Sequence, residues 1–201
     1  MLWALIAAGI LIILWIVLLL VGVPAPDTAN LPPYPVTRQP DKSVAIELQG
    51  KNQCAAFAAA YVMRTLGIST DGAAVYRKLS GKLPGGLVTP NGILSYFRKN
   101  GRKAVFLRGS LDRVKAHLAS GDSVILFVRV FPDRRYLHFV PIVGYDEEKI
   151  YLAESLDFLV NVNGDPYCNR IVPADVLSRL WKLPLPFFAN SYIVISGKLS
   201  S

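Results

Sequence analysis

QGKNQCAAFAAAYVMRTLG, residues 49–67, decides how the rest of the chain is read. From about Gln53 to Leu66 alanines dominate the first half, and Phe57, Tyr61 and Leu66 supply bulk. Alanine has the highest helix propensity and lets neighbouring elements approach closely, so the segment predicts a buried central helix. Asn52 is placed to cap its start, and Gly67 to end it in a left-handed conformation. The cysteine of this stretch, Cys54, therefore falls at the helix N-terminus. There the free N–H groups and the helix dipole favour a thiolate. A buried cysteine is otherwise an inert small hydrophobe, and the surrounding sequence has to separate the two readings.

Downstream, helical patterns come first and strand patterns second. Helices are predicted over Gly72–Leu79, from Pro90 behind a Thr89 cap to about Asn100, and from Ser110 to about Ser120, with a short strand at Lys103–Leu107. SVILFVRVF (123–131), YLHFVPIVGY (136–145), IYLAES (150–155) and NSYIVISG (190–197) are rich in β-branched and aromatic residues and read as strands. Pro141 inside one of them points to an edge or a bulge. Residues 161–170 read as loop, and Pro173 opens a helix reaching about Trp181. This order predicts an α+β domain, a buried helix packed on an antiparallel sheet.

Upstream lies a different composition. Residues 1–23 carry no charge, and an apolar helix of that length predicts a transmembrane anchor. The basic flank of a cleaved signal peptide is missing. Residues 24–42 contain six prolines and read as an extended stalk or an arm lying on the domain, which then occupies 43–201. The expected protein is single-pass, with its domain on the extracytoplasmic face and the membrane as a partner through 1–23. Orientation has little support, because the first basic residue after the anchor is Arg38. All 22 lysines and arginines and all 14 acidic residues fall beyond the anchor, giving the domain +8. They are scattered rather than striped, so no nucleic-acid partner is expected. An anionic surface suits such a domain, and simple solubility accounts for the charge equally well.

Four side chains have the chemistry for an acyl-transfer site. A thiol nucleophile needs a base, and the base an orienting group. The chain has two histidines. His117 sits in DRVKAHLASG and reads as a surface or packing residue, which leaves His138 as the base. Glu154, on the returning strand, can bring a carboxylate to the His138 ring, and Asp157 just beyond it is the alternative third member. Gln49 offers an amide that, with a backbone N–H, would make an oxyanion hole; Gln53 is the other donor. The two cysteines and two histidines lack metal-ligand spacing, and no dinucleotide or phosphate-loop fingerprint is present, so neither metal nor cofactor is expected. A structural cystine between Cys54 and Cys168 is a competing use of the thiol.

Three segments resemble the C39-like group of papain-like cysteine peptidases. They are QGKNQCAAFAAAYVMRTLG, HFVPIVGYDEEKIYLAES (138–155) and RIVPADVLSRLW (170–181). The resemblance implies a papain-like fold over about 43–197 and a thiol protease acting on a peptide or protein substrate. In it Cys54 matches the nucleophile, His138 the general base and Gln49 the oxyanion glutamine, one residue nearer the cysteine than is usual. Glu154 stands where the family has aspartate or asparagine, and Ala55 where it often has glycine. Those departures keep a second possibility open, a catalytically silent papain-like domain acting as an anchored peptide- or envelope-binding module.

Overall fold

The computed structural model describes residues 21–134, 136–183 and 186–199, together with Trp3, Ile6 and Gly9. Its strands are β1 (Ala25–Pro26), β2 (Arg102–Arg108), β3 (Ser123–Arg129), β4 (Leu137–Tyr145), β5 (Lys149–Leu152), β6 (Arg170–Pro173) and β7 (Ser191–Leu199). They form one sheet in the order β1-β2-β7-β3-β4-β5-β6. Every pairing is antiparallel except the short parallel contact of β1 with β2. The helices are α1 (Cys54–Thr65), α2 (Gly72–Lys78), α3 (Pro90–Lys99), α4 (Leu111–Ala119) and α5 (Ala174–Trp181).

The period of two in the strands sorts side chains onto two cores. Ile125 and Phe127 of β3 and Ile193 and Ile195 of β7 pack with α1 and α3. Val124, Leu126 and Val128, interleaved with them, pack with Val114 and Leu118 of α4 and Leu177, Leu180 and Trp181 of α5. The sheet is thus covered on both faces, an α+β arrangement. Helix α1 is the most enclosed element: Ala56, Ala59 and Ala60 are wholly buried. Its alanines serve the packing expected of them, since a bulkier side chain there would push the helix off the sheet.

Local details depart from expectation at three places. Asn52 does not cap α1: it has φ +61°, and the capping position is Gln53, whose side chain makes no cap hydrogen bond. Thr89 likewise makes no side-chain cap bond, whereas the Ser110 hydroxyl accepts from the Arg113 N–H. Arg170, expected in a loop, opens β6 and pairs with Leu152. Pro141 pairs with Ile125 inside β4, and the register against β5 slips between Ile142 and Gly144, the bulge its position suggested.

The membrane anchor expected over 1–23 is corrected. No helix among the described residues is long and apolar enough to cross a membrane. Of that stretch only Trp3, Ile6, Gly9 and 21–23 are described; the remainder lies outside the described residues. Single-pass anchoring, the membrane as partner through 1–23, and placement of the domain on the extracytoplasmic face all depended on that span and are not retained. The cystine is corrected too, for Cys54 and Cys168 are both free.

The proline-rich arm lies on the domain. Arg38 and Tyr145 exchange backbone hydrogen bonds of 2.8 and 2.9 Å. The approach is close enough that a Cβ on Gly144 would collide with the Arg38 carbonyl. Near the start of the arm, the Asp27 side chain is 1 % exposed and gathers four side-chain donor bonds. They come from Arg113 Nε (3.1 Å) and Nη2 (2.8 Å), His117 Nε2 (3.1 Å) and the Tyr192 hydroxyl (2.5 Å). His117 also meets Asp122 through Nδ1 at 2.8 Å. It is a buried latch residue, not a surface one.

Candidate active site

Cys54 is the first residue of α1, and its side chain faces the start of β4, where His138 is the second residue. His138 has no exposure to solvent and Cys54 only 9 %. The imidazole Nε2 lies 2.7 Å from Glu154 Oε1. That leaves Nδ1 for the thiol. Nδ1 is buried and closes no well-formed hydrogen bond, yet hydrogen bonding and charge couple the ring to the Cys54 sulfur. One ring nitrogen is therefore fixed and the other is turned toward the thiol with its lone pair or proton available. This is the geometry a proton acceptor needs before reaction.

The electrostatics follow from burial set against pairing. Burial pushes the Cys54 thiol up, but the His138 hydrogen bond and charge, with the backbone N–H groups of Phe139 and Ala55, outweigh it and hold the thiol below its ordinary value. No acidic residue stands in the first turn of α1, so the dipole acts unopposed. Burial would push His138 down; the charge of Glu154 and the Cys54 hydrogen bond win and raise it to about 9. Glu154 is pulled below the usual carboxylate range: burial opposes this, and His138, Arg170 and the Leu156 N–H overcome it. The three directions agree with a thiolate–imidazolium pair backed by a carboxylate.

Glu154 is wholly buried and its position is heavily determined. Oε1 also accepts from Leu156 N–H at 2.8 Å, and Oε2 meets Arg170 Nη1 at 2.7 Å. Asn169 grips the Glu154 backbone from both sides, with its amide oxygen on the N–H and its amide nitrogen on the carbonyl, each at 2.8 Å. The loop before them is ordered by Asp165, which accepts from the N–H groups of Tyr167 and Cys168. Asn169 and Arg170 were missed in the sequence, because a polar pair at the end of a loop has no periodicity. Their usable signal was that β6 follows β5 and must pair with it, setting Arg170 opposite Leu152, two residues from Glu154.

The other candidates are placed as follows. Asp157 begins a 3-10 turn and is exposed; no contact joins it to His138. Gln49 is fastened beside the site, its N–H on the Ser155 carbonyl at 2.8 Å and its Oε1 accepting from Ser155 Oγ at 2.7 Å. Its amide nitrogen, the group expected at an oxyanion, donates to the Gly50 carbonyl at 3.0 Å. Gln53 Oε1 accepts from the Gly50 N–H at 3.3 Å. Just before Cys54 and His138 in the chain, the helical and sheet halves of the molecule touch. The Tyr136 hydroxyl donates to Asn52 Oδ1 at 3.1 Å, and Asn52 Nδ2 donates to the Gly85 carbonyl at 2.8 Å. Each partner of the first bond stands two residues before Cys54 or His138.

The sequence matches no protein-family profile and no curated protein. The fold matches solved structures along nearly their full lengths. The peptidase domain of Streptococcus ComA, a bifunctional transporter of a quorum-sensing pathway, superposes with a TM-score of 0.59 at 12% identity, over 78% of this chain and 99% of that one. A double glycine motif protease from an AMS/PCAT transporter, solved with its leader peptide, gives 0.56 at 16% identity, over 81% and 96%. A Bacillus anthracis protein described as a C39-like peptidase gives 0.56 at 14% identity, over 80% and 100%. The chain is similar to these in fold, and that fold is the papain-like cysteine-peptidase fold.

Proposed function

We propose that this chain is a cysteine peptidase that hydrolyses a peptide amide bond. The observation that carries the reading is the buried line Cys54–His138–Glu154, with Nδ1 of the histidine left open toward sulfur at a helix N-terminus. Cys54 gives its proton to Nδ1. The thiolate attacks the amide carbonyl, forming a C–S bond as the carbonyl becomes an oxyanion. Collapse breaks the C–N bond, and Nδ1–H delivers the proton to the departing amine. Water, deprotonated by the same nitrogen, then cleaves the thioester and returns the thiol and a carboxylic acid. Glu154 accepts from Nε2–H throughout and fixes the tautomer. Backbone N–H at the start of α1 serves the oxyanion, and the Gln49 amide joins it on turning away from Gly50. The similar transporter-associated proteins, one of them solved with a leader peptide, support a peptide as the substrate class.

The shielding of Cys54 favours a second reading, a papain-like domain that binds peptide without cutting it. The pH dependence of Cys54 alkylation by iodoacetamide separates the two, with Cys168→Ala present throughout. A peptidase gives a rate plateau extending well below the ordinary thiol value of about 8.5. His138→Ala removes the plateau and lowers the rate at pH 6 by roughly two orders of magnitude. An ordinary thiol titration indifferent to His138 leaves the binding domain.

A further inference from the structure

Glu154 is an unusual third member because it is long, wholly buried and doubly engaged. A carboxylate with one cationic neighbour in so dry a place has an easy escape: it can take the proton from the imidazolium, leaving two neutral groups. A neutral Glu154 would compete for the Nε2 proton, and the imidazole would lose its fixed tautomer. Two charged groups face Glu154 among the described residues, His138 from β4 and Arg170 from β6. The remaining contacts are the Leu156 N–H and the Asn169 amide. Arg170 is itself buried, and its guanidinium meets the carboxylate directly through Nη1.

We propose that Arg170 is the positioning residue that keeps Glu154 a carboxylate, so that the proton of catalysis moves only at Nδ1 of His138. The result is a row of alternating charge: thiolate, imidazolium, carboxylate, guanidinium. The first two members change charge during turnover, and the last two keep theirs. The role takes its purpose from the peptidase reading but is measurable without it.

The test is a 13C-NMR titration of the Glu154 carboxyl in the full chain carrying Cys54→Ser, the signal being assigned by its loss in Glu154→Gln. With Arg170 present, Glu154 stays ionised to below the usual carboxylate range. In Arg170→Gln, which keeps a donor and drops the charge, protonation moves up by about 1–3 pH units. Arg170→Lys keeps the charge and leaves Glu154 ionised. An unchanged titration in Arg170→Gln overturns the proposal. So does an ordinary carboxylate titration in Arg170→Lys, the variant that serves if the glutamine one does not fold. In chains with the thiol intact, the acid limb of Cys54 alkylation moves up in Arg170→Gln and not in Arg170→Lys, because removing a positive charge raises every nearby acid's pKa. A merely structural arginine lowers the rate at all pH values without moving the limb. Failure of the peptidase reading has a different signature, an ordinary thiol limb near 8.5 while Glu154 remains ionised.

Discussion

The chain buries two histidines, and the company they keep is nearly the same. His138 and His117 each meet a carboxylate through Nε2, at 2.7 and 3.1 Å, and each of those carboxylates is also held by an arginine. The difference lies at Nδ1. In His117 it is bonded to Asp122; in His138 it meets no carboxylate and faces the Cys54 thiol. A histidine with both nitrogens bonded to carboxylates holds structure together, because any proton movement breaks a bond. A histidine with one nitrogen free can accept a proton and hand it on. Burial and an acid partner describe both clusters, so neither feature by itself separates them; the nitrogen turned to sulfur does.

The largest effect expected from probing this contrast is on stability. Glu154→Ala strands Arg170 and His138 Nε2 in the interior and costs about 3–5 kcal/mol, read as a lower urea midpoint. Glu154→Gln keeps the shape and costs less. Asp27→Ala strands His117 but leaves Arg113 partly exposed, 29 % by side chain. It is expected to cost about 1–3 kcal/mol, to open the arm over 28–42 to protease, and to leave the alkylation profile of Cys54 unmoved. A shifted profile would show that the two clusters are coupled and break the contrast.

The pH dependences differ in sign. Burial pushes Asp27 up, but Arg113 and Tyr192 hold it below its ordinary value. Its contribution is therefore present above the unfolded carboxylate pKa, near 4, and lost as pH falls below that. His138 is raised to about 9. Its contribution is complete below the unfolded value near 6.5 and lost as pH rises through about 9. Peptide hydrolysis is expected to fall over that same upper range, when Nδ1 no longer carries a proton for the leaving amine. A hydrolysis profile flat through pH 10 would put the general acid elsewhere. The smallest effect belongs to Tyr136→Phe. It removes an exposed bond between the residues two before His138 and Cys54 and is expected to raise alkylation by a bulky maleimide a few-fold, within about 1 kcal/mol, with little change for iodoacetamide.

What was legible in the sequence divides along the same line. Helix α1 is rich in alanine and strand β4 in β-branched and aromatic residues, so Cys54 and His138 could be placed at their beginnings. Glu154 followed from the hairpin that returns β5 beside β4. Arg170 and Asn169 stand where a loop becomes a four-residue strand, too short for any pattern. The Asp27 latch was hidden differently: prolines explain an extended arm, but nothing local says that one aspartate in it will enter a pocket made by Arg113, His117 and Tyr192. His117 itself lies on an amphipathic helix, where a polar residue reads as surface until its acceptors are known.

The strand order has a consequence for how the chain is made. β7 lies between β2 and β3, which do not pair with each other. Until it arrives, the sheet is two separate pieces, β1 with β2 and β3 through β6. The Asp27 latch waits as well, since its Tyr192 partner lies 165 residues away. Such long-range closure is slow, because loop entropy is lost before the contacts form. On the ribosome every residue of the Cys54–His138–Glu154–Arg170 line has been made while the sheet beneath it is still divided. The domain therefore joins its two sheet pieces last, and losing β7 by truncation would split the sheet rather than trim its edge.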